Sequence, residues 1–428
     1  MASVCFYFQV HQPMRVRKYR IFDVGKNRDY FADSSRTSLD NKFIIEKVAN
    51  KSYLPANKVL LENIKRDPRF KASFSISGVA LEQFEKHAPE VIDSFRELIN
   101  TGNVELLSET YYHSLASIYS EEEFIEQVKL HRRKLRELFG VTPTVFRNTE
   151  LIYNNDIAKM AERMGYKGIL SEGADHILEW RSPTFVYKPK GTENIKLLLK
   201  HYKLSDDIAF RFSQRSWNEW PLTADKFAHW VDALSEGYRE SLAPQVVNLF
   251  MDYETFGEHQ WEDTGIFEFL RHLPEKILSN SKNEFVTPSE AVDKYESVAD
   301  LDVPYHISWA DMERDLSAWM SNDLQKEALE SVYNLGKEIA YIDDPELVED
   351  WRRLQTSDHF YYMCTKFWND GDVHKYFSPY ETPHEAFIAF MNVLQDMRLR
   401  VDEAKRKESV GVPIRRVKAL RFNEATSY

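Results

Sequence analysis

The chain opens with Val4-Cys5-Phe6-Tyr7-Phe8-Gln9-Val10-His11-Gln12-Pro13, a β-branched and aromatic run that stops on a polar cluster ending in proline. Such a run reads as a strand, and one placed at the very start of a chain is expected to be buried in a sheet. Runs of the same kind recur at Phe70–Ile76, Val104–Leu107, Thr144–Phe146, Gly168–Leu170, Ile195–Leu199 and Val246–Met251. Between several of them lie stretches of helical period rich in Glu, Lys, Leu and Ala, among them Ala80–Ile99, Glu121–Leu138 and Asp156–Met164. Strand then helix, repeated about seven times, predicts a parallel sheet or an α/β barrel.

In such folds the functional side chains gather where strands end, because the βα loops form one face. Four of the predicted strands run into polar clusters: His11-Gln12-Pro13, Glu105 with Ser108-Glu109, Arg147-Asn148-Thr149-Glu150, and Asp252-Tyr253-Glu254. These are predicted to converge. From about Pro304 the pattern turns helical, at Asp311–Asn322, Leu324–Tyr341, Pro345–Lys366 and His384–Lys407. The expected organisation is a catalytic barrel over 1–300 and a helical domain over 301–428, packed on the barrel and contributing to its site. With 14 glycines and no Gly/Ser-rich linker, firm docking of the helical part is expected.

Composition narrows the function classes. A chain of 428 residues, 43% apolar and 29% charged, is neither a disordered tail, a collagen-like fibre nor a disulfide scaffold. The formal charge of -12 argues against nucleic acid as the main partner. Cys5 and Cys364 are too few for a disulfide framework or a thiolate metal site, and read as reduced, buried thiols. No apolar run reaches membrane-spanning length, and the first residues lack the features of a signal peptide, so a cytoplasmic location is expected. The tail Lys405–Tyr428 carries seven Lys/Arg against two Glu, which suits a solvated tail or one that contacts another copy in a homo-oligomer.

Asp252 and Glu254 stand two apart at a strand end and are predicted to point the same way. Two carboxylates held close cannot both ionise cheaply, so one is expected to rise toward the range of a general acid. At the other cluster, Arg147 is near enough in sequence to keep a carboxylate such as Glu150 ionised. An ionised Glu facing a protonated Asp is the pair that glycoside hydrolysis needs, whereas an Arg-Glu ion pair closing the barrel is the structural alternative. His11, His113 and His259 come from three different predicted loops, and no His-x-x-x-His or His-Glu-x-x-His spacing occurs. They are assigned to hydrogen bonds with substrate hydroxyls or carbonyls, with a His/Asp metal set as the competing reading. No cofactor and no metal are expected. Aromatic residues such as Trp217, Trp220, Trp261, Tyr361, Tyr362 and Trp368 suit the apolar faces of sugars, and a few of them are expected to serve as stacking platforms.

His11-Gln12-Pro13, Gly102-Asn103-Val104-Glu105, Phe146–Glu150, Met251–His259 and Thr356-Ser357-Asp358-His359 resemble, in order, the five sequence regions of glycoside hydrolase family 57. The resemblance implies a (β/α)7 barrel, an incomplete TIM-like barrel, followed by a helical domain, with a retaining mechanism on α-linked glucans. By position Glu150 matches the family's nucleophile and Asp252 its general acid/base. His11, Glu105, His259 and Asp358 fall where the family lines its sugar subsites, and His113, Arg147, Glu254 and Tyr362 are added as substrate-binding candidates from spacing. The chain is most similar to the shorter α-amylase-type members, so the implied substrate is an α-glucan or malto-oligosaccharide. A 4-α-glucanotransferase would use the same carboxylates. A metal-dependent polysaccharide deacetylase and a non-catalytic glycan-binding protein are the readings from other classes.

Overall fold

The computed structural model describes residues 2–237, 245–366 and 373–409. Seven strands follow the predicted order: β1 Ala2–Val10, β2 Ala72–Ile76, β3 Val104–Leu106, β4 Val145–Arg147, β5 Gly168–Glu172, β6 Lys196–Lys200 and β7 Gln245–Asp252. All pair in parallel, in the orders β3-β2-β1-β7 and β4-β5-β6. A parallel bridge between Ser108 and Phe146 joins β3 to β4. On the far side the Asn248 amide donates to Leu199 O at 2.9 Å, and His201 N–H donates to Asn248 O at 2.8 Å, joining the end of β6 to β7. The result is a (β/α)7 barrel.

β1 sits at its centre, between β2 and β7, and all nine of its residues are buried. The period of two assigns its side chains. Cys5 and Tyr7 join Leu107, Val145, Leu170, Leu198, Val246 and Phe250 in the barrel core. Phe6 and Phe8 pack on the other face, against Phe70, Phe285, Phe74 and Phe256. Each of these fully buried rings contributes roughly 1.5–3 kcal/mol relative to exposure.

The described chain separates into two compact units, each with its own core. The barrel unit comprises the segment up to His11, Ile45–Glu109 and His131–Trp309; the helical unit comprises Gln12–Ile44, Thr110–Leu130 and the chain from Ala310. The division is therefore not a single cut near residue 300, because the segments that leave β1 and β3 belong to the helical unit. Buried polar pairing inside that unit holds the segment that leaves β3. Arg352 donates to both oxygens of Glu123 at 2.8 and 3.1 Å, and the Gln127 amide donates to Glu123 at 2.9 Å and to Gln355 at 3.1 Å. Ser114 forms an antiparallel bridge with Thr356.

Three predicted helices are interrupted. Ala80–Ile99 divides into Gly78–His87 and Pro89–Asn100, since Pro89 cannot continue a helix and drives Ala88 to φ -153°. Pro345–Lys366 divides into Pro345–Leu354 and Ser357–Tyr361, where Thr356 leaves the helix to bridge Ser114. Of Asp311–Asn322 only Ser317–Met320 is helical, because Asp311 and Arg314 both take φ 54°. The predicted helices at Leu324–Tyr341 and His384–Lys407 stand as Asp323–Ile339 and Pro383–Ser409. Both cysteines are free and buried. No helix among the described residues is long and apolar enough to cross a membrane. The basic tail beyond Ser409 and Trp368 lie outside the described residues.

Candidate active site

Because all seven strands are parallel, residues that follow their C-terminal ends share one rim of the barrel. β1 delivers Tyr7, Gln9 and His11 at alternate positions. The Tyr7 hydroxyl donates to Gln9 Oε1 at 2.8 Å and lies 2.5 Å from Ser75 Oγ, while the Gln9 amide donates to Glu109 Oε1 at 2.9 Å. The Glu109 N–H donates to Nδ1 of buried His131 at 3.2 Å. That acceptor role leaves the proton of the neutral ring on Nε2, which lies 2.8 Å from Ile76 O. Burial raises the Tyr7 hydroxyl, and the charges of Arg147, Glu109 and Asp252 all act on it. One buried hydroxyl thus lies within electrostatic range of both catalytic candidates' strand ends.

Glu150 follows β4 in a tight turn. It and Leu151 both hold left-handed backbone, at φ 57° and 49°, a conformation that costs a non-glycine residue of order 1–3 kcal/mol and clusters at functional sites. Its Oε2 accepts the indole N–H of Trp309 at 2.8 Å, and its carbonyl accepts the Trp309 backbone N–H at 3.2 Å. Arg147 is fully buried with its guanidinium 4.9 Å from the centroid of the same indole ring, and Lys200 Nζ lies 5.4 Å from that centroid. Lys200, at the end of β6, also meets Asp206 at 3.0 Å and Glu172 at 3.5 Å.

The second carboxylate pair stands across the rim, since β7 is three strands from β4 around the barrel. Asp252 ends β7 in register with Gln9 of β1 and is half-buried. Glu254 follows in the turn Tyr253–Thr255 and is buried. Its Oε1 accepts the Tyr53 hydroxyl and, at 3.3 Å, the His11 N–H. Burial first, and the charge of Asp252 second, push Glu254 up to about 8. The proton that the sequence expects on this pair is therefore held by Glu254 in the free site. His11 Nδ1 is 2.7 Å from Ser77 Oγ, which fixes the ring beside that pair.

His259 sits on the same turn, where its N–H donates to Glu254 O at 2.9 Å. Its Nδ1 is sealed from solvent, and burial holds the imidazole down at about 4. Gly257, at φ 109°, clamps this turn onto the barrel: a Cβ there would stand 2.0 Å from Lys51 O.

Glu254 and His259 impose opposite pH dependences on folding. Glu254 has a folded value above its ordinary one, so its contribution is complete below about pH 4.5 and is lost as pH rises to about 8. His259 has a depressed value, so its contribution is complete above about pH 6.5 and is lost as pH falls toward 4. Glu254→Gln, which copies the neutral carboxyl, is expected to remove up to about 5 kcal/mol of destabilisation at alkaline pH. Thermal unfolding of variant and parent from pH 5 to 9 checks this: the Tm curves should separate steadily from pH 5 to about 8 and hold that gap above it, and curves parallel throughout would refute the assignment.

Glu105 is not delivered to the rim. Its Oε2 accepts the N–H of Ser289 at 2.9 Å, at the first turn of helix Pro288–Lys294, where a carboxylate suits the helix N-terminus. The expectation of a substrate contact there is accordingly dropped. His113, Asp358 and Tyr362 belong to the helical unit, which brings them together. His113 takes φ 50° and its carbonyl accepts the Ser357 N–H at 2.9 Å, while Asp358 O accepts the Tyr362 N–H at 2.9 Å. Burial, then the charge of Asp358, raises the Tyr362 hydroxyl. Of the candidate platforms, Trp261 is 59% and Trp220 43% exposed, and Lys51 Nζ lies 5.2 Å from the Trp261 ring centroid. Among the described residues no group of three or more His, Cys, Asp or Glu side chains is arranged to hold a metal ion.

Tyr7, Gln9, Glu172, Lys200 and Trp309 are absent from the sequence-derived set, in which Glu109 stood only as a member of a strand-end cluster. Tyr7 and Gln9 were within reach of the period-2 rule, being four and two residues before His11 on one strand face. Glu172 and Lys200 lie one or two residues past the predicted ends of their strands. Trp309 carries no sequence signal.

Comparison with known proteins identifies the family. The glycosyl hydrolase family 57 profile matches residues 5–304. A putative alpha-amylase of Methanocaldococcus jannaschii is 43% identical over 411 residues, covering 94% of this chain and 85% of the relative. Among solved structures, a family 57 branching enzyme of Thermococcus kodakaraensis superposes with TM-score 0.69 at 14% identity, covering 96% of this chain and 92% of the other. The 4-alpha-glucanotransferase of Thermococcus litoralis gives TM-score 0.63 at 19% identity, with 84% of this chain matched to 56% of that one. The extent of the profile match and the identity to the Methanocaldococcus protein establish the chain as a glycosidase of glycosyl hydrolase family 57.

Proposed function

We propose that the protein acts on α-1,4-linked glucans, starch, glycogen or malto-oligosaccharides, by retaining double displacement, with Glu150 as nucleophile and Asp252 as general acid/base. The observation that carries this reading is the opposite electrostatic setting of two carboxylates on one barrel rim. Glu150 accepts an indole N–H and has the cations Arg147 and Lys200 against that same indole, which favours the ionised form. Asp252 stands beside a second carboxylate, Glu254, which burial and the charge of Asp252 push up to about 8. Environments that push two carboxyl groups apart in this way assign their acid and nucleophile roles. The choice of α-glucan is supported by the names of the relatives, which include alpha-amylase, 4-alpha-glucanotransferase and branching enzyme.

In the first step Glu150 attacks the anomeric carbon as the Asp252–Glu254 pair, through the half-buried Asp252, gives its proton to the glycosidic oxygen. The carbon–oxygen bond to the leaving sugar breaks and a covalent glycosyl-enzyme forms. Asp252 then takes a proton from water as that water attacks the anomeric carbon and releases Glu150. On the barrel unit His11 and His259 are the proposed substrate contacts, whereas Arg147 is fully buried against the Trp309 indole and acts behind the nucleophile. A sugar hydroxyl in place of water makes the same site a 4-α-glucanotransferase.

Incubation with soluble starch and with maltoheptaose, with and without EDTA, separates these outcomes. New reducing ends that persist in EDTA are expected. Longer oligosaccharides without new reducing ends would identify the transferase, loss of activity in EDTA a metal-dependent hydrolase, and binding without product a glycan-binding protein.

A further inference from the structure

The segment from Val303 to Trp309 runs as a strap along the loop that carries Glu150. Asn155 N–H donates to Val303 O at 3.0 Å, and its side-chain oxygen accepts the Val303 N–H at 3.0 Å. Tyr153 and Ile307 exchange both backbone hydrogen bonds at 2.9 Å in an antiparallel bridge. Continuing that register brings Trp309 to Glu150, where the residue makes two bonds to one partner: backbone N–H to carbonyl at 3.2 Å and indole N–H to Oε2 at 2.8 Å. The two contacts fix both the strained turn and the carboxylate rotamer that it presents.

The indole is itself held by charge. The guanidinium of Arg147, fully buried, lies 4.9 Å from the ring centroid, and none of its three nitrogens makes a hydrogen bond within the described residues. Lys200 Nζ lies 5.4 Å from the same centroid and is tied to Asp206 and Glu172. Cations against an aromatic ring are attracted by its electron density, and they draw that density away from the N–H edge. A more polarised N–H is a stronger donor to a carboxylate.

We propose that Trp309 is the positioning residue of the nucleophile: its indole N–H holds Oε2 of Glu150, directs Oε1 toward the anomeric carbon, and stabilises the carboxylate as it is released from the glycosyl-enzyme. Arg147 and Lys200 act through the indole ring. This rests on the assignment of Glu150 as nucleophile. The bond balance is that of the double displacement; Trp309 neither gains nor loses a proton.

The test compares Trp309→Phe with a chain in which residue 309 is β-(3-benzothienyl)alanine, which keeps the bicyclic ring and replaces only the N–H by sulfur. Both should lower kcat/KM on maltoheptaose by about ten- to a hundredfold, the worth of a hydrogen bond to a charged group. Both should move the acid limb of kcat/KM up by about one pH unit, since the ionised form of Glu150 loses a donor. A role in folding alone would leave that limb in place, and the benzothienyl chain would keep parental activity; either result overturns the proposal. Glu150→Gln run alongside distinguishes the two levels. If it still turns over, the nucleophile assignment fails and the proposal with it; if it is inactive while both residue-309 replacements keep the parental limb, the proposal alone fails.

Discussion

Glu150→Gln is expected to lower kcat on maltoheptaose by at least about 10⁴-fold, the scale on which removal of a covalent nucleophile acts. Glutamine matches glutamate in shape and still accepts the Trp309 N–H through its amide oxygen, so the turn and the bound sugar should be retained. Calorimetric titration should therefore give an affinity for maltoheptaose within a few-fold of the parent, a margin of about 1 kcal/mol. Residual turnover above about a hundredth of the parent would remove Glu150 from the nucleophile's role.

Asp252→Asn should lower starch hydrolysis by about 10²–10⁴-fold, the usual yield of general acid–base catalysis. The loss should depend on the leaving group. An α-maltosyl fluoride departs without protonation, so its first step should persist, releasing a burst of fluoride that stalls at the glycosyl-enzyme because no base activates water. Added azide, which needs no such base, should restart turnover and yield an α-maltosyl azide. Equal losses on fluoride and starch, with no rescue by azide, would move the acid/base role off Asp252, and Glu254, the buried proton holder beside it, would be tested next.

The barrel was legible because its strands are short apolar runs with abrupt polar ends, and the Val4–Val10 run already displayed a strand buried on both faces. The polar rim was legible only where a cluster stood directly at a predicted strand end. Glu150 and Asp252 met that condition. Glu105 resembled them in sequence, but it lies inside its strand rather than past its end, and a helix N-terminus claims its carboxylate. Trp309 could not be read at all, since its link to Glu150 spans 159 residues and depends on a register set by the Tyr153–Ile307 bridge. The interrupted helices have a mixed lesson. Pro89 was visible as a breaker, whereas the break at Thr356 follows from a long-range pairing with Ser114.

The placement of β1 also bears on how the chain is made. This strand is synthesised before the other six, yet its register couples Ala2 to Gln245 and Gln9 to Asp252. Until β7 has been synthesised, one edge of the most apolar strand has no partner, and its backbone N–H and C=O groups form a template for association with other chains. Barrel closure must await almost the whole catalytic unit, so loop-closure entropy and nascent-chain protection, rather than local helix formation, set the hazards of its biogenesis.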